Sequence, residues 1–191
     1  DESALTGGAQ TPTGSLGTTA SVDFSTAFTV AYGADGAASS NALVYALGVQ
    51  SQGVDSGLKD TATGQPITLY LEGGKVVGYV GDNTGSKAFE LSLNGSSVTL
   101  AQFSPIEHAQ KGGQAADYDD VMSLATGLVT LTATATDKDG DTASYTLDIS
   151  NKVQFHDDAP TVTVGNAVGN LVVDESALTG GAQTPTGSLG T

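Results

Sequence analysis

Three aspartates stand at alternate positions in the short segment TDKDGDT, residues 136–142. They are Asp137, Asp139 and Asp141. Two carboxylates about 5 Å apart repel each other by roughly 3 kcal/mol at an effective dielectric constant of about 20, so a turn that holds three of them needs a counter-charge. Calcium suits such a turn because it is a hard cation that takes several oxygen ligands and tolerates irregular geometry. The segment therefore predicts a calcium site.

The EF-hand is the first calcium motif to compare with this segment. Asp148 falls at loop position 12, but Gly140 stands at position 4 instead of position 6. An alternating strand pattern begins at Ala143 and excludes the helix that would follow an EF-hand loop. We therefore reject the EF-hand and keep calcium as the expected cofactor.

The net charge of the chain restricts the classes of partner that it is expected to bind. Asp and Glu number 21 against 6 Lys and Arg, which gives a formal net charge of −15. Such a chain is not expected to bind nucleic acid or to contact a membrane, whereas cations are favoured partners. Twelve of the 21 acids lie in five clusters, at residues 1–2, 117–120, 137–141, 157–158 and 174–175. The sequence has no cysteine and therefore predicts no disulfide.

Short apolar runs with period two and frequent turn residues predict an all-β chain. Gly73-Gly74 and Asn94-Gly95 each stand between two such runs and predict hairpins, the second with a type I′ turn. The number of short strands is typical of a single β-sandwich, expected to be a Greek key with inserted hairpins. Residues 104–124 interrupt the pattern and are expected to form a long loop, with a possible helical turn from Asp119 to Leu124.

The clearest strand patterns lie late in the chain. Apolar residues occupy the odd positions of residues 129–136, and also those of residues 143–155 except at Asn151. Each strand is expected to bury one face, and together they predict a long hairpin with the aspartate turn at its tip. A continuous strand from Thr142 to Phe155 would be about 45 Å long.

Eighteen residues, DESALTGGAQTPTGSLGT, occupy positions 1–18 and recur without a substitution at positions 174–191. Asp174 thus corresponds to Asp1, and the period of 173 residues is the size of a domain. We interpret the chain as part of a tandem array, with an engineered duplication as the alternative. Residues 1–158 would form one repeat that lacks its first strand segment, and residues 159–191 would form a linker and the start of the next repeat.

The combination of ATDKDGDTASYTLDIS with FHDDAPTVTV resembles the extender repeats of bacterial RTX adhesins that are exported by type I secretion. DDAP followed by a strand and VVDES also resembles the calcium-binding linker and first strand of cadherins, more distantly. The closest resemblance covers residues 103–191. It implies an Ig-like or cadherin-like Greek-key sandwich that is rigidified by calcium. It further implies an extracellular spacer on the bacterial surface that projects an adhesive tip, with adjacent repeats of the same chain as its partners.

The resemblance and the expected strand length distribute the other ligands. Asp157 and Asp158 would lie in the linker, at the opposite end of the strand from the aspartate turn, and would meet the turn of the next repeat. Glu2 is expected near Asp157, and Glu175 at the far end of the second repeat. Asp117 and Asp119 are weaker candidates.

The sequence does not predict an enzyme. His108, His156 and many carboxylates are present, but no G-x-S-x-G, H-E-x-x-H or paired-Glu context surrounds them. We expect the backbone carbonyl of His156 to help bind calcium, and His108 to be a hydrogen-bonding residue of the loop or the core. The alternative to a spacer is an adhesive module that itself binds a glycan, a surface or a sister chain.

Overall fold

The computed structural model of the chain describes residues 18–109 and 120–157, together with Gly165. In this part of the chain the regular structure consists of eleven strands and two single 3₁₀ turns, without an α-helix. The predicted all-β class is therefore confirmed. The strands are β1 Thr18–Asp23, β2 Leu43–Val49, β3 Val54–Lys59, β4 Pro66–Glu72, β5 Lys75–Val80, β6 Lys87–Asn94, β7 Ser97–Gln102, β8 Val121–Ser123, β9 Val129–Thr136, β10 Thr142–Asp148 and β11 Gln154–His156.

The strands form three antiparallel sheets. Six of them follow the order β1-β7-β6-β5-β4-β3, three the order β10-β9-β2, and β11 pairs with β8. The described residues up to Asp157 belong to the first of two units, Asp1–Ala159. The predicted boundary at residues 158–159 and the predicted start of a second repeat lie outside the described residues.

Both predicted hairpins of the large sheet are present, but one turn is shifted by a residue. Glu72 pairs with Lys75, and Gly73 and Gly74 both have positive φ angles, +57° and +79°, as a type I′ turn requires. Asn94 pairs with Ser97, which places Gly95 and Ser96 in the second turn. Of these two only Gly95 has a positive φ, +59°, so the turn is type II′ and the prediction of type I′ at Asn94-Gly95 is wrong.

The late hairpin of β9 and β10 is confirmed, and β2 pairs with the other edge of β9. On β9 the odd positions Val129, Leu131 and Ala133 are buried. The opposite face carries hydroxyl pairs, and Thr132 bonds Thr146 at 2.8 Å across the strands. On β10 the predicted burial of one face is wrong, because β10 is an edge strand and Tyr145 is 69% exposed.

The predicted continuous strand from residue 142 to residue 155 is also wrong. β10 ends at Asp148, a 3₁₀ turn follows at Ser150–Lys152, and β11 then pairs with β8 in a separate sheet. The break has a physical cause in the side chain of Ser150, which is completely buried. Its Oγ accepts hydrogen bonds from the backbone N–H groups of Leu128 at 3.0 Å and Val129 at 2.9 Å. These bonds hold Ser150 beside the start of β9, and the N–H and Oγ of Ser150 also donate to the carboxylate of Asp148 at 2.9 and 2.6 Å, which forms the local turn that ends β10.

The end of the predicted long loop is extended, so the possible helical turn at residues 119–124 is wrong. Residues 121–123 form β8, and Met122 lies opposite Phe155 of β11. Residues 110–119 of the loop lie outside the described residues.

Apolar side chains from all three sheets form one core. Phe89 of β6 and Phe155 of β11 are both buried, with ring centroids 5.0 Å apart. Gly78 of β5 makes room for this pair, because a Cβ at this position would lie 2.5 Å from the ring of Phe89. No helix in the described part of the chain is long and apolar enough to cross a membrane.

Candidate metal site

The aspartate turn lies at the tip of the β9–β10 hairpin. Thr136 and Thr142 form the last strand pair, which leaves five residues for the turn. Each of Asp137, Asp139 and Asp141 offers a carboxylate oxygen, and these oxygens lie within 4.8 Å of one another. The structure thus brings together the three residues that were predicted to bind a metal.

The side chain of Asp137 also organises the turn. Its Oδ1 accepts hydrogen bonds from the backbone N–H groups of Asp141 at 2.8 Å and Gly140 at 3.1 Å. Its own N–H donates to the carbonyl oxygen of Asp141 at 3.0 Å. Gly140 has a φ of +101°, a conformation that costs glycine little and most residues much more. The hydrogen bonds of Asp137 and the glycine together fold the backbone so that the three carboxylates converge.

Hydrogen bonds stabilise the negative charge of Asp137, one of the three aspartates of the turn. A hydrogen bond with the Asp139 carboxyl lowers the pKa of Asp137, and the backbone N–H groups of Asp141, Gly140 and Asp139 lower it further. Asp137 is half-buried, whereas Asp139 and Asp141 are exposed. Three oxygen donors that converge at an open edge can bind a hard cation, which can complete its coordination with water. This chemistry is compatible with the residues present.

A second segment adjoins the turn, and sequence reasoning missed it. Ala37 pairs with Asp137 in an isolated bridge, and the N–H of Lys138 donates to the carbonyl oxygen of Gly36 at 3.0 Å. Asp35 precedes Gly36 and is exposed, although it does not belong to the group of three carboxylates. The signal in the sequence was an Asp-Gly pair in GADGA, but nothing in it indicated that residue 36 meets residue 138.

Asp157 does not belong to the group formed by Asp137, Asp139 and Asp141 among the described residues. It is half-buried directly after β11, and its N–H donates to the carbonyl oxygen of Asp120 at 3.0 Å. The Asp120 carboxylate in turn accepts a hydrogen bond from the N–H of Ala109 at 3.2 Å. The other five candidate ligands lie outside the described residues: Glu2, Asp117, Asp119, Asp158 and Glu175.

The two histidines occupy different environments. His108 is 7% exposed, and His156 is half-buried on β11, opposite Val121.

Another carboxylate, Asp60, is 2% exposed and was not singled out from the sequence. It accepts hydrogen bonds from the N–H and Oγ1 of Thr63, at 2.9 and 2.7 Å, and from the hydroxyl of Ser104. These bonds satisfy the buried carboxylate and give it a structural role at the turn after β3.

Most of the chain matches the model of a known protein family. Residues 1–150 match a family model described as a domain of unknown function (DUF5801). The matched region includes the aspartate turn and β1 to β10, and it ends before β11. No curated protein and no solved structure matches the chain at a significant level.

Proposed function

The chain belongs to the DUF5801 family, and we propose that it serves as a calcium-stabilised structural spacer repeat of a bacterial surface adhesin. In this proposal the fold is an Ig-like or cadherin-like Greek-key sandwich with inserted hairpins. The repeat carries no enzymatic activity. Its neighbours in the chain are further copies of itself, and other domains of the adhesin bind the target.

The observation that carries the proposal is the convergence of Asp137, Asp139 and Asp141 within 4.8 Å. All three donors are carboxylate oxygens, which excludes a preference for soft metals. The site is a hairpin tip open to water, and calcium accepts the irregular geometry of such a turn. Magnesium, in contrast, demands a near-ideal octahedron and gives up its water reluctantly. Calcium is therefore the ion we assign.

The spacer role rests on the tandem repeat and on the acids that flank the unit. Asp157 follows β11 directly, and Asp158 continues into the linker. In an array, these acids approach the aspartate turn of the next repeat, and Glu2 and Glu175 occupy equivalent positions in successive repeats. Asp117 and Asp119 are further candidates for the same junction. Ions held between two repeats would make the array stiff.

The location outside the cell follows from the resemblance to adhesins exported by type I secretion. A cell interior poor in free calcium would keep the acidic turn unliganded and the chain loosely folded. Calcium outside the cell would then complete the fold. The formal charge of −15 supports such a dependence, because self-repulsion opposes the compact state until cations bind.

Calorimetric titration of the full chain with calcium tests the metal assignment. We expect saturable binding that Asp139→Asn weakens strongly. Asp55→Asn is the matched control, because Asp55 is also an exposed carboxylate but lies on β3 outside the cluster. An equal effect of the two variants, or no heat of binding in the parent chain, would contradict a calcium site at the turn.

Small-angle scattering of a protein with two complete periods tests the spacer role. We expect a rod in calcium and a shorter, flexible particle in chelator. A maximum dimension that does not respond to calcium, while both repeats stay folded, would show that ions do not stiffen the junction.

One observation favours the alternative, in which the repeat itself is an adhesive module. Tyr145 is 69% exposed on the edge strand β10, and exposed aromatic rings are frequent in binding surfaces. A glycan array with the full chain and with Tyr145→Ala separates the two functions. Binding that depends on Tyr145 would establish an adhesive module, whereas a pure spacer binds nothing on the array.

A further inference from the structure

An apolar groove remains open at one side of the core. Its floor is formed by the inward face of β1 and β7, with Ala20, Val22 and Leu100, and Ile149, Val153 and His156 form the opposite wall. The groove has a volume of about 250 Å³. Val22 is 54% exposed, and Ala20, on the same face of β1, is exposed as well. Most of the lining side chains are apolar, and Lys152, Gln154 and His156 are the polar ones, so the groove exposes apolar surface to water.

A strand edge borders this groove. Within the described residues, β1 is the last strand of the six-stranded sheet. An edge strand presents unpaired N–H and C=O groups and can accept one more strand. The groove therefore offers an incoming extended segment both apolar contacts and backbone hydrogen-bond partners.

The sequence contains a segment with the required chemistry. Residues 161–173, TVTVGNAVGNLVV, include five valines and one leucine and have no charged residue, in a chain with a net charge of −15. The segment stands directly before residues 174–191, which repeat residues 1–18. Thr191 thus corresponds to Thr18, the first residue of β1. By the repeat, the segment precedes a stretch that leads into a further β1, which forms the floor of the same groove in the next unit.

We propose that this groove is the docking site for residues 161–173 of a second copy of the unit. In a tandem array this segment belongs to the preceding repeat, and between single chains it belongs to another molecule. The segment lies in the groove as an added strand, and its valines cover Val22 and Leu100. Each repeat thereby completes the core of the repeat that follows it. The proposal does not depend on the metal, because none of the acids of the aspartate turn lines the groove.

The decisive experiment adds a second copy of residues 161–173 in front of Asp1 of the full chain. We expect the melting temperature to rise by about 5 °C or more, because several valine side chains leave water. Val22→Asp should abolish this rise. In the chain without the added segment the same substitution should shift the melting temperature by no more than about 2 °C, because Val22 is already exposed. Every measurement is made both in calcium and in chelator, so that failure of the metal assignment does not affect the result.

Val44→Asp is the matched control. Val44 is 44% exposed on β2 and does not line the groove, so this variant should keep the full gain from the added segment. No gain in the extended chain, or a gain that survives Val22→Asp, would overturn the proposal. A gain that Tyr145→Asp abolishes in place of Val22→Asp would also overturn it, because the segment would then occupy the edge of β10.

Sedimentation of the original chain tests the source of the segment. We expect association that grows with concentration, is reduced by Val22→Asp and disappears when the added segment fills the groove within one molecule. A chain that stays monomeric at its highest soluble concentration, and that loses stability when residues 159–191 are removed, would show that its own segment occupies the groove and would overturn docking from a second copy.

Discussion

Strand β10 has an aspartate-containing turn at each end, and the two turns differ in how many hydrogen-bond donors each carboxylate has. At the start of β10, Asp137, Asp139 and Asp141 converge within 4.8 Å. At its end, the single carboxylate of Asp148 accepts hydrogen bonds from the N–H and Oγ of Ser150, at 2.9 and 2.6 Å, and from the N–H of Gly127 at 2.8 Å. The second turn is electrostatically satisfied by the chain itself.

This difference separates a structural carboxylate from a candidate ligand. Hydrogen bonds from Ser150, and then from Gly127, lower the pKa of Asp148, so its charge already has partners. In the first turn the N–H groups point to the Asp137 oxygen, but they serve one carboxylate of three. A crowded turn with few donors per carboxylate can hold a cation, whereas the charge of a lone carboxylate with three donors is already stabilised by the chain.

The largest expected effect comes from the satisfied turn. Ser150→Ala leaves the buried N–H groups of Leu128 and Val129 without their side-chain acceptor, at a cost of about 1–3 kcal/mol for each such group. We expect urea denaturation to show a loss of about 3 kcal/mol that is the same with calcium and with chelator. Ser144→Ala is the control, because its hydroxyl bonds Thr134 on the exposed face, and it should cost less than about 0.5 kcal/mol. Equal losses in the two variants would contradict the role of Ser150.

Removal of calcium should have the next largest effect. An ion at 100 times its dissociation constant adds about 2.7 kcal/mol to the free energy of unfolding. For a chain of this size we expect chelation to lower the melting temperature by about 5–10 °C. A transition that moves by less than about 1 °C in excess chelator would mean that the crowded turn does not need a structural metal.

Two single substitutions sharpen the contrast between the turns. Asp139→Asn keeps a side-chain oxygen but removes one negative charge from the turn, and it should weaken calcium binding by about tenfold or more because affinity follows the number of charged ligands. Asp148→Asn, at the other end of β10, should leave calcium affinity unchanged. Calorimetry of both variants gives the answer, and an unchanged affinity in Asp139→Asn would remove the turn as the binding site.

The smallest expected effect is a difference in acid stability between the parent chain and Asp148→Asn. The pKa of Asp148 is lowered from its ordinary value of 3.8, so the unfolded chain binds this proton more readily than the folded one. Its contribution to stability is therefore present above about pH 4 and is lost as the pH falls through the lower pKa of the folded state. In chelator, Asp148→Asn should flatten the fall in stability below about pH 4. An unchanged acid limb in thermal melts from about pH 5 to pH 2 would contradict the hydrogen-bonded charge.

Local patterns in the sequence predicted the strands and hairpins correctly where the partners are close along the chain. The β9–β10 hairpin and the Gly73-Gly74 turn depend on neighbouring residues, and both are confirmed. The alternating pattern also correctly predicted that Val153 and Phe155 face the core, since both are buried. It did not reveal the break after Asp148, because an alternating pattern is compatible with one long strand or with two short ones.

Local sequence patterns did not predict the features that depend on residues far apart in the chain. Ser150 bonds residues 21 and 22 positions earlier, so its role is visible only once β9 lies beside it. The segment around Gly36 meets the aspartate turn across about half of the chain, and the sequence around it resembles an ordinary surface turn. The three aspartates themselves were predictable, because one short turn brings them together without help from distant strands.

The first and last described strands, β1 and β11, differ in the number of residue pairs that hold them, and this difference bears on how a repeat would respond to tension. β1 pairs with β7 through six residue pairs, whereas β11, the last of the described strands, pairs with β8 through three. In the proposed array, tension would be the same at both ends of each repeat, so we expect the strand pair with fewer hydrogen bonds to separate first. Separation of β11 would withdraw Phe155 from Phe89 and lengthen the chain while the six-stranded sheet stays paired. A repeat of the proposed spacer could thus extend under tension without complete unfolding.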